Sequence, residues 1–317
     1  MKALNILITG GMGFVGKNIL DYIFNRCLES IERVVVIDDL ARYKDISRLD
    51  IIEHPRLVFL QKNLLDVTLE DYLTQYKIDV VIHLAARTNV IYSIENPEPV
   101  LNNNIVSTLR VLEACRQCRV NQFIFASTSA AEGKVDEDGN TRSYHPYGLS
   151  KKVDEMLIEM YSKLYGLNAL ILRFFNLYGP YQYQEDSSKN VISRLFYCYL
   201  TGEPFYIYGD GIQTRDFVYV DDLSRIIWQS VIRKKAPYLT LEVGKGYSHS
   251  INQLVDIFQK VVKVKLNIVE KEARACEIIH SSVKNKLLIG DLIPEIKLED
   301  GLARMLHWIN SRYRVTK

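Results

Sequence analysis

The sequence predicts an α/β protein, a doubly wound parallel sheet with a smaller, mixed α/β C-terminal lobe. Compact, nearly continuous apolar runs alternate with helix-like stretches through the N-terminal half. Strands that lack polar alternation are buried on both faces, as in a parallel sheet covered by helices. A glycine-rich string, Thr9-Gly10-Gly11-Met12-Gly13-Phe14-Val15-Gly16, follows the first run and opens the first helix. The second lobe is predicted because this rhythm stops after Arg173.

In chain order, strands are expected at 3–9, 33–37, 57–60, 80–85, 122–126 and 169–173, each compact and rich in aliphatic or Phe residues. Helices are expected at 16–27, 69–76, 104–118 and 147–165. Beyond Arg173, residues 178–190 read as a polar Tyr/Gln-rich loop, 191–201 as a helix and 204–208 as a strand before the Gly209-Asp210-Gly211 turn. A segment over 214–220 leads to a helix through 224–232, with Asp221 or Asp222 expected as its cap. No repeat or low-complexity linker separates the lobes. Residues 1–174 are expected to form the first lobe, with part of about 212–245 returning to it, and 175–317 mainly the second.

The 317 residues carry 40 Lys+Arg against 38 Asp+Glu, a formal charge of +2, so no global field grips nucleic acid. With 48% hydrophobic residues the chain is expected to fold, and no apolar run approaches the roughly 18 residues of a membrane span. Residues 1–5 lead straight into a strand without a basic leader or cleavage site, so a cytoplasmic protein is expected. The five cysteines are scattered, and Cys115-x-x-Cys118 lies in a helical pattern without a second pair or a histidine cluster. Reduced thiols and no metal site are expected.

Gly10, Gly13 and Gly16 are spaced to allow a tight turn, backbone approach to a pyrophosphate and close packing of the helix on the sheet. The helix N-terminus, with Phe14 and Val15 in its first turn, then faces the negative charge. Asp38 ends the second strand about 20 residues beyond Gly16, where an acid accepts from ribose hydroxyls and disfavours a 2′-phosphate. That favours NAD over NADP, with Arg42 nearby as a softening influence. Asp38 or Asp39 starting a turn is the ordinary alternative. Asn63-Leu64 is expected at the adenine edge, and His83-Leu84-Ala85-Ala86 offers small residues for close approach to the cofactor. His83 itself reads as a packed structural histidine.

Tyr147 and Lys151, four residues apart on a helix, share a face. A phenol is a poor base at neutral pH, and a nearby ammonium favours its ionised form. Thr128 lies just beyond the fifth strand, at the carboxyl edge where open sheets bind ligands. A surface Tyr/Lys pair and a turn-capping hydroxyl are the plain alternatives; the order of glycine turn, acid, hydroxyl and Tyr/Lys helix is what makes the pattern specific.

With these residues in place, the chain resembles the extended short-chain dehydrogenase/reductases of the NAD-dependent epimerase/dehydratase family, and among them the nucleotide-sugar epimerases. The resemblance spans T-G-G-M-G-F-V-G at 9–16, H-L-A-A at 83–86, Y-G-L-S-K at 147–151 and R-F-F-N-L-Y-G-P at 173–180. It continues through Y-G-D-G at 208–211, R-D-F-V-Y-V-D-D at 215–222 and L-H-W at 306–308. It implies a Rossmann-type first lobe, NAD as cofactor and Thr128, Tyr147 and Lys151 as the catalytic triad, with Lys151 also on the nicotinamide ribose and Asn104 beside the triad. It implies a nucleotide diphospho-sugar held by Asn176, Asn190, Val191, Tyr208, Arg215 and Arg274. Guanidinium forks suit paired phosphates; a salt bridge is the alternative for each arginine. It also implies a homodimer, in which the 104–118 and 147–165 helices pair across a twofold axis into a four-helix bundle.

The reaction implied is inversion at C4 through a 4-keto intermediate, on a UDP-hexose or UDP-N-acetylhexosamine. Dehydratases of the family carry Asp-Glu directly after the threonine, where this chain has Ser129-Ala130. Glu132 stands where the epimerases usually carry tyrosine, which leaves a 4,6- or 5,6-dehydratase using Glu132 as the alternative. A catalytically silent nucleotide-sensing module is a further one. Arg87, where an uncharged residue is usual, meets an acidic sugar, a phosphate or solvent.

Overall fold

Ile6, Leu7 and Ile8 are fully buried and place strand β1 (Leu4–Thr9) in the interior of a seven-stranded sheet. A computed structural model describes residues 2–43, 52–135, 141–142, 145–182, 190–233, 238–273, 280–283 and 292–313. The other strands of this sheet are β2 (Ile31–Asp38), β3 (Leu57–Gln61), β4 (Val80–His83), β5 (Gln122–Thr128), β6 (Ala169–Phe174) and β7 (Tyr238–Val243). Their order is β7-β6-β5-β4-β1-β2-β3. From β3 across to β6 every registered pair is parallel.

This is a Rossmann-type order. The chain winds outward from β1 to β2 and β3, then returns to β4 on the other side of β1 and winds the opposite way. At that switch point the connections after β1 and β4 diverge, leaving a crevice beyond their carboxyl ends.

The chain divides into two compact units, Met1–Phe174 with Ile227–Leu241, and Phe175–Ile226 with Glu242–Lys317. In the first, Leu7, Val35, Val81, Phe123 and Ile171 of the sheet share a core with Val111, Leu112 and Ile158 of two helices, Ser107–Gln117 and Pro146–Tyr165. Burying each large aliphatic side chain contributes about 1.5–3 kcal/mol, so this apolar face fixes both helices against the sheet. In the second, the helices Val191–Thr201, Ile251–Val262 and Leu298–Arg312 share a core with the parallel pair Phe205–Tyr208 and Ile268–Lys271. Phe196 and Phe258 meet edge to face there, 4.8 Å apart.

Several boundaries differ from expectation, among them the end of β4 at His83, the end of β5 at Thr128, which lies in the strand and not beyond it, and three helices. The first helix is Phe14–Arg26, starting directly after Gly13. The expected 104–118 helix is a π turn, Asn102–Val106, running into Ser107–Gln117. The helix expected from Ser224 begins at Val220, so Asp221 and Asp222 lie in its first turn instead of capping it. Buried Asp222 accepts instead from the backbone N–H groups of Glu295 and Ile296, at 2.9 and 2.8 Å.

Candidate active site

Gly10 turns the chain after β1 at φ +69°, its N–H donating to Ile37 O at 2.8 Å. A Cβ there would lie 2.7 Å from both Cα and N of Ala85, so glycine alone lets the loop touch the chain leaving β4. A Cβ on Gly16 would meet the Gly11 backbone, which seats the helix on the loop. Gly13 caps the Phe14–Arg26 helix with no side-chain hydrogen bond, and its first turn carries no acid. The first N–H groups of the helix are therefore not occupied by a cap, as an anion site requires. Phe14 is buried beside this turn, and Val15, Leu84, Ala85 and Ala86 are half-buried.

Asp38, at the end of β2, accepts from Met12 N (2.9 Å) and Leu40 N (2.8 Å), one bond on each carboxylate oxygen. Burial pushes its pKa up while those two N–H groups hold it down. Each oxygen retains a further lone pair for a hydroxyl. Asp39 is exposed and accepts from Ala41 N, with the Asn63 amide 3.4 Å from its other oxygen; Leu64 is buried beside Asn63. A cradle that a Cβ would fill, an uncapped helix start and an acid beyond β2 fit the pyrophosphate and ribose of NAD.

Thr128, the last residue of β5, meets Tyr147, and Lys151 follows four residues on along the same helix. His145 starts the Pro146–Tyr165 helix by accepting from Gly148 N at 3.0 Å, and Pro146 follows as its first residue. That brings the half-buried Tyr147 phenol against the Thr128 hydroxyl. Burial pushes the phenol up to about 12, Thr128 opposes that rise and the Asp154 charge adds to it. Lys151 is only 2% exposed, with Nζ 4.3 Å from the centre of the Phe125 ring. Burial pushes its pKa down against the opposing pull of Asp154 and Glu155.

The π turn presents buried Asn104 to this helix. Its Nδ2 donates to Ser150 Oγ (2.9 Å) and Arg87 O (3.2 Å), while its Oδ1 accepts from Arg87 N (2.8 Å). Ser150 Oγ in turn donates to Tyr147 O at 2.8 Å, so Asn104 is tied to the turn that carries the tyrosine. The Arg87 side chain is exposed, its Nη1 3.4 Å from the Tyr92 hydroxyl. His83 is wholly buried between Thr9 Oγ1 (2.6 Å) and Thr108 Oγ1 (3.1 Å). Burial, aided by the Lys151 charge, lowers its pKa to about 3.

Glu132 ion-pairs with Arg173 at 3.1 Å. The same guanidinium holds Glu155, which also accepts from Ser127 Oγ at 2.6 Å.

In the second unit, Asn176 Nδ2 donates to Asp216 O at 3.3 Å. Asn190 caps the Val191–Thr201 helix through Ile192 N and donates to Leu177 O, which puts Val191 in the helix's first turn. Tyr208 ends its strand and accepts at its carbonyl from Gln213, and Arg215 Nη1 donates to Thr214 O. Arg274 lies outside the described residues.

Asp154, Glu155, Ser150 and Arg173 are buried or nearly buried polar residues that the sequence reading did not single out. One signal was available: positions 147, 151, 154 and 155 fall on one helical face, so two acids follow Lys151 toward the sheet.

The model of the NAD dependent epimerase/dehydratase family matches residues 6–244. A UDP-glucuronate 4-epimerase of Thermodesulfobacterium geofontis is 29% identical, covering 98% of each chain. The UDP-N-acetylglucosamine 4-epimerase of Methanobrevibacter ruminantium, solved with UDP-N-acetylmuramic acid, superposes with a TM-score of 0.88 at 30% identity, covering 99% of this chain and 100% of that one. The UDP-glucuronic acid 4-epimerase of Bacillus cereus, solved with UDP-glucuronic acid and NAD, gives 0.84 at 29% identity, over 98% and 100%.

Proposed function

The chain belongs to the NAD-dependent epimerase/dehydratase family, and from that premise we propose that it inverts C4 of a UDP-linked sugar through a 4-keto intermediate. The observation that carries epimerisation over dehydration is the ion pair of Glu132 with Arg173. Elimination of water needs an acid or base that reaches the substrate, and this carboxylate is engaged by the guanidinium instead. Ser129 and Ala130 supply no other acid after Thr128.

Tyr147 takes the proton of the sugar 4-hydroxyl and later returns it. Burial pushes the phenol up to about 12 even with the Thr128 hydroxyl opposing that rise, so the Lys151 ammonium must favour the phenolate. Thr128 donates to the sugar 4-oxygen. Asn104, through Ser150, holds the tyrosine turn in place. When bound, NAD supplies the acceptor and then the donor of the C4 hydride. Gly10, Gly13, Phe14 and Val15 hold its pyrophosphate, Asp38 and Asp39 its adenosine ribose, Asn63 and Leu64 its adenine, Leu84–Ala86 line it, and Lys151 holds the other ribose. Asn176, Asn190, Val191, Tyr208, Arg215 and Arg274 hold the nucleotide diphosphate, and exposed Arg87 is available to a sugar carboxylate.

Proton NMR of the protein with NAD and a panel of UDP-hexoses, N-acetylhexosamines and hexuronates tests this. The 4-epimer should appear without net NADH; a 4-keto-6-deoxy or 5,6-ene product would establish a dehydratase instead.

Assembly as a homodimer is part of the proposal. Met156, Met160 and Leu164 stand exposed at 61%, 40% and 67% with i, i+4, i+8 spacing along one helix, and Leu109 is exposed on the Ser107–Gln117 helix. Such a stripe suits a four-helix bundle between two copies. Light scattering should give twice the 36.7 kDa chain mass, and a monomer at micromolar concentration would remove this element. No helix among the described residues is long and apolar enough to cross a membrane, and Cys27, Cys115, Cys118 and Cys198 are free thiols. These support a cytoplasmic site of action, which cell fractionation checks.

A further inference from the structure

We propose that Asp154 is the buried counter-charge that keeps Lys151 an ammonium, and hence a positioning residue for the tyrosine–lysine chemistry, on which reading its catalytic consequence rests. Asp154 lies three residues beyond Lys151 on the Pro146–Tyr165 helix and is wholly buried. Neither carboxylate oxygen makes a hydrogen bond of full geometry, and among the described residues the Thr108 hydroxyl is the one donor near enough to act on them. Buried polar groups are nearly always paired, and an acid without a full hydrogen bond is costly to keep. Its position beside an equally buried amine gives that cost a use.

A lysine 2% exposed over a phenylalanine ring sheds its proton unless an anion stays close. Two acids follow it on the helix. Glu155 is committed elsewhere, since Arg173 takes both of its oxygens and the Ser127 hydroxyl adds a third bond. Asp154 is the uncommitted one, and residues three apart on a helix are neighbours. Lys151, Glu155 and Tyr147 face Asp154 from its own helix and Thr108 from the Ser107–Gln117 helix; His83 of β4 stands behind Thr108, and Arg173 of β6 behind Glu155. Burial lifts Asp154 to about 7 while Lys151 and Thr108 hold it down, so above neutral pH it is charged. The same charge opposes ionisation of Tyr147. A neutral Lys151 would take an opposite charge away from the phenolate's own helix face, and that loss sets the expected direction of the turnover change.

Asp154→Asn keeps the shape and removes the charge. In protein labelled with ε-13C-lysine, the Lys151 signal, assigned by its loss in Lys151→Met, should titrate about one pH unit lower in Asp154→Asn. Turnover of the UDP-sugar substrate at pH 8 should fall about tenfold and recover at lower pH, with both limbs of the rate profile moving down together. An unchanged Lys151 titration overturns the proposal, whatever happens to turnover or to thermal stability. If that titration moves while Lys151→Met leaves turnover intact, the counter-charge stands and the catalytic assignment of Lys151 falls. Asp154→Ser, smaller and also uncharged, should show the same shift and decides the matter if the asparagine variant does not fold.

Discussion

Arg173 on β6 grips Glu155 with two parallel bonds, Nε to Oε1 at 2.8 Å and Nη2 to Oε2 at 2.7 Å. Glu155 is 5% exposed and Arg173 13%, and Ser127 Oγ adds a third bond from β5. The group ties the tyrosine–lysine helix to the two strands beside it, one of which ends in Thr128. Removing one member of a buried pair leaves the other charge uncompensated, at a cost of about 3–5 kcal/mol. Arg173→Met should lose that much in urea unfolding, and Arg173→Met with Glu155→Leu should regain most of it. A single-variant loss below about 1 kcal/mol would mean that the pair is screened as on a surface.

Gly10 and Gly166 share a left-handed backbone, at φ +69° and +70°. An added Cβ at Gly166 meets nothing within 4 Å, whereas at Gly10 it strikes the Ala85 backbone. Gly166→Ala should therefore cost only the backbone strain, about 1 kcal/mol, with NAD affinity unchanged. Gly10→Ala should lose NAD binding at least tenfold by calorimetry, because the loop must move from the β4 end. Equal effects at the two sites would contradict this.

Tyr147→Phe removes the proton acceptor and leaves the cradle alone. Turnover should fall at least about a thousandfold with NAD affinity within twofold. For the wild-type protein without NAD, ultraviolet titration should count one more tyrosine ionising near 12 than in the variant, where Tyr161 and Tyr219 still do so. Retained turnover would remove the phenol from the mechanism.

His83 is held neutral, with its pKa lowered from 6.5 to about 3. Between those values the unfolded chain binds a proton that the folded one refuses, so stability falls as pH drops below about 6.5. At pH 5 the loss relative to pH 7 is about 2 kcal/mol from this group. His83→Asn should lack that increment when urea midpoints at pH 5 and pH 7 are compared with wild type. An identical pH dependence in the two proteins would count against a neutral buried imidazole.

The parallel sheet was legible because strands buried on both faces need no polar alternation, and runs such as Val34–Ile37 show it locally. The shared face of Tyr147 and Lys151 follows from helical spacing alone. The glycine turn was legible because few residues tolerate its backbone. Other features depended on partners far along the chain. Glu132 reads as a free acid until Arg173, 41 residues on, is seen beside it. Asn104 reads as ordinary helix, although a π turn presents it to Ser150, 46 residues away.

By itself the sequence determined the order of strands and helices, the glycine cradle and which residues share a helical face, since backbone sterics and side-chain periodicity act between near neighbours. Only the tertiary structure decided that Glu132 is paired, that Glu155 belongs to Arg173 and that Asp154 is left beside Lys151 without a hydrogen bond of full geometry. Those outcomes depend on which charges are desolvated together, and desolvation is set by elements brought into contact from distant parts of the chain.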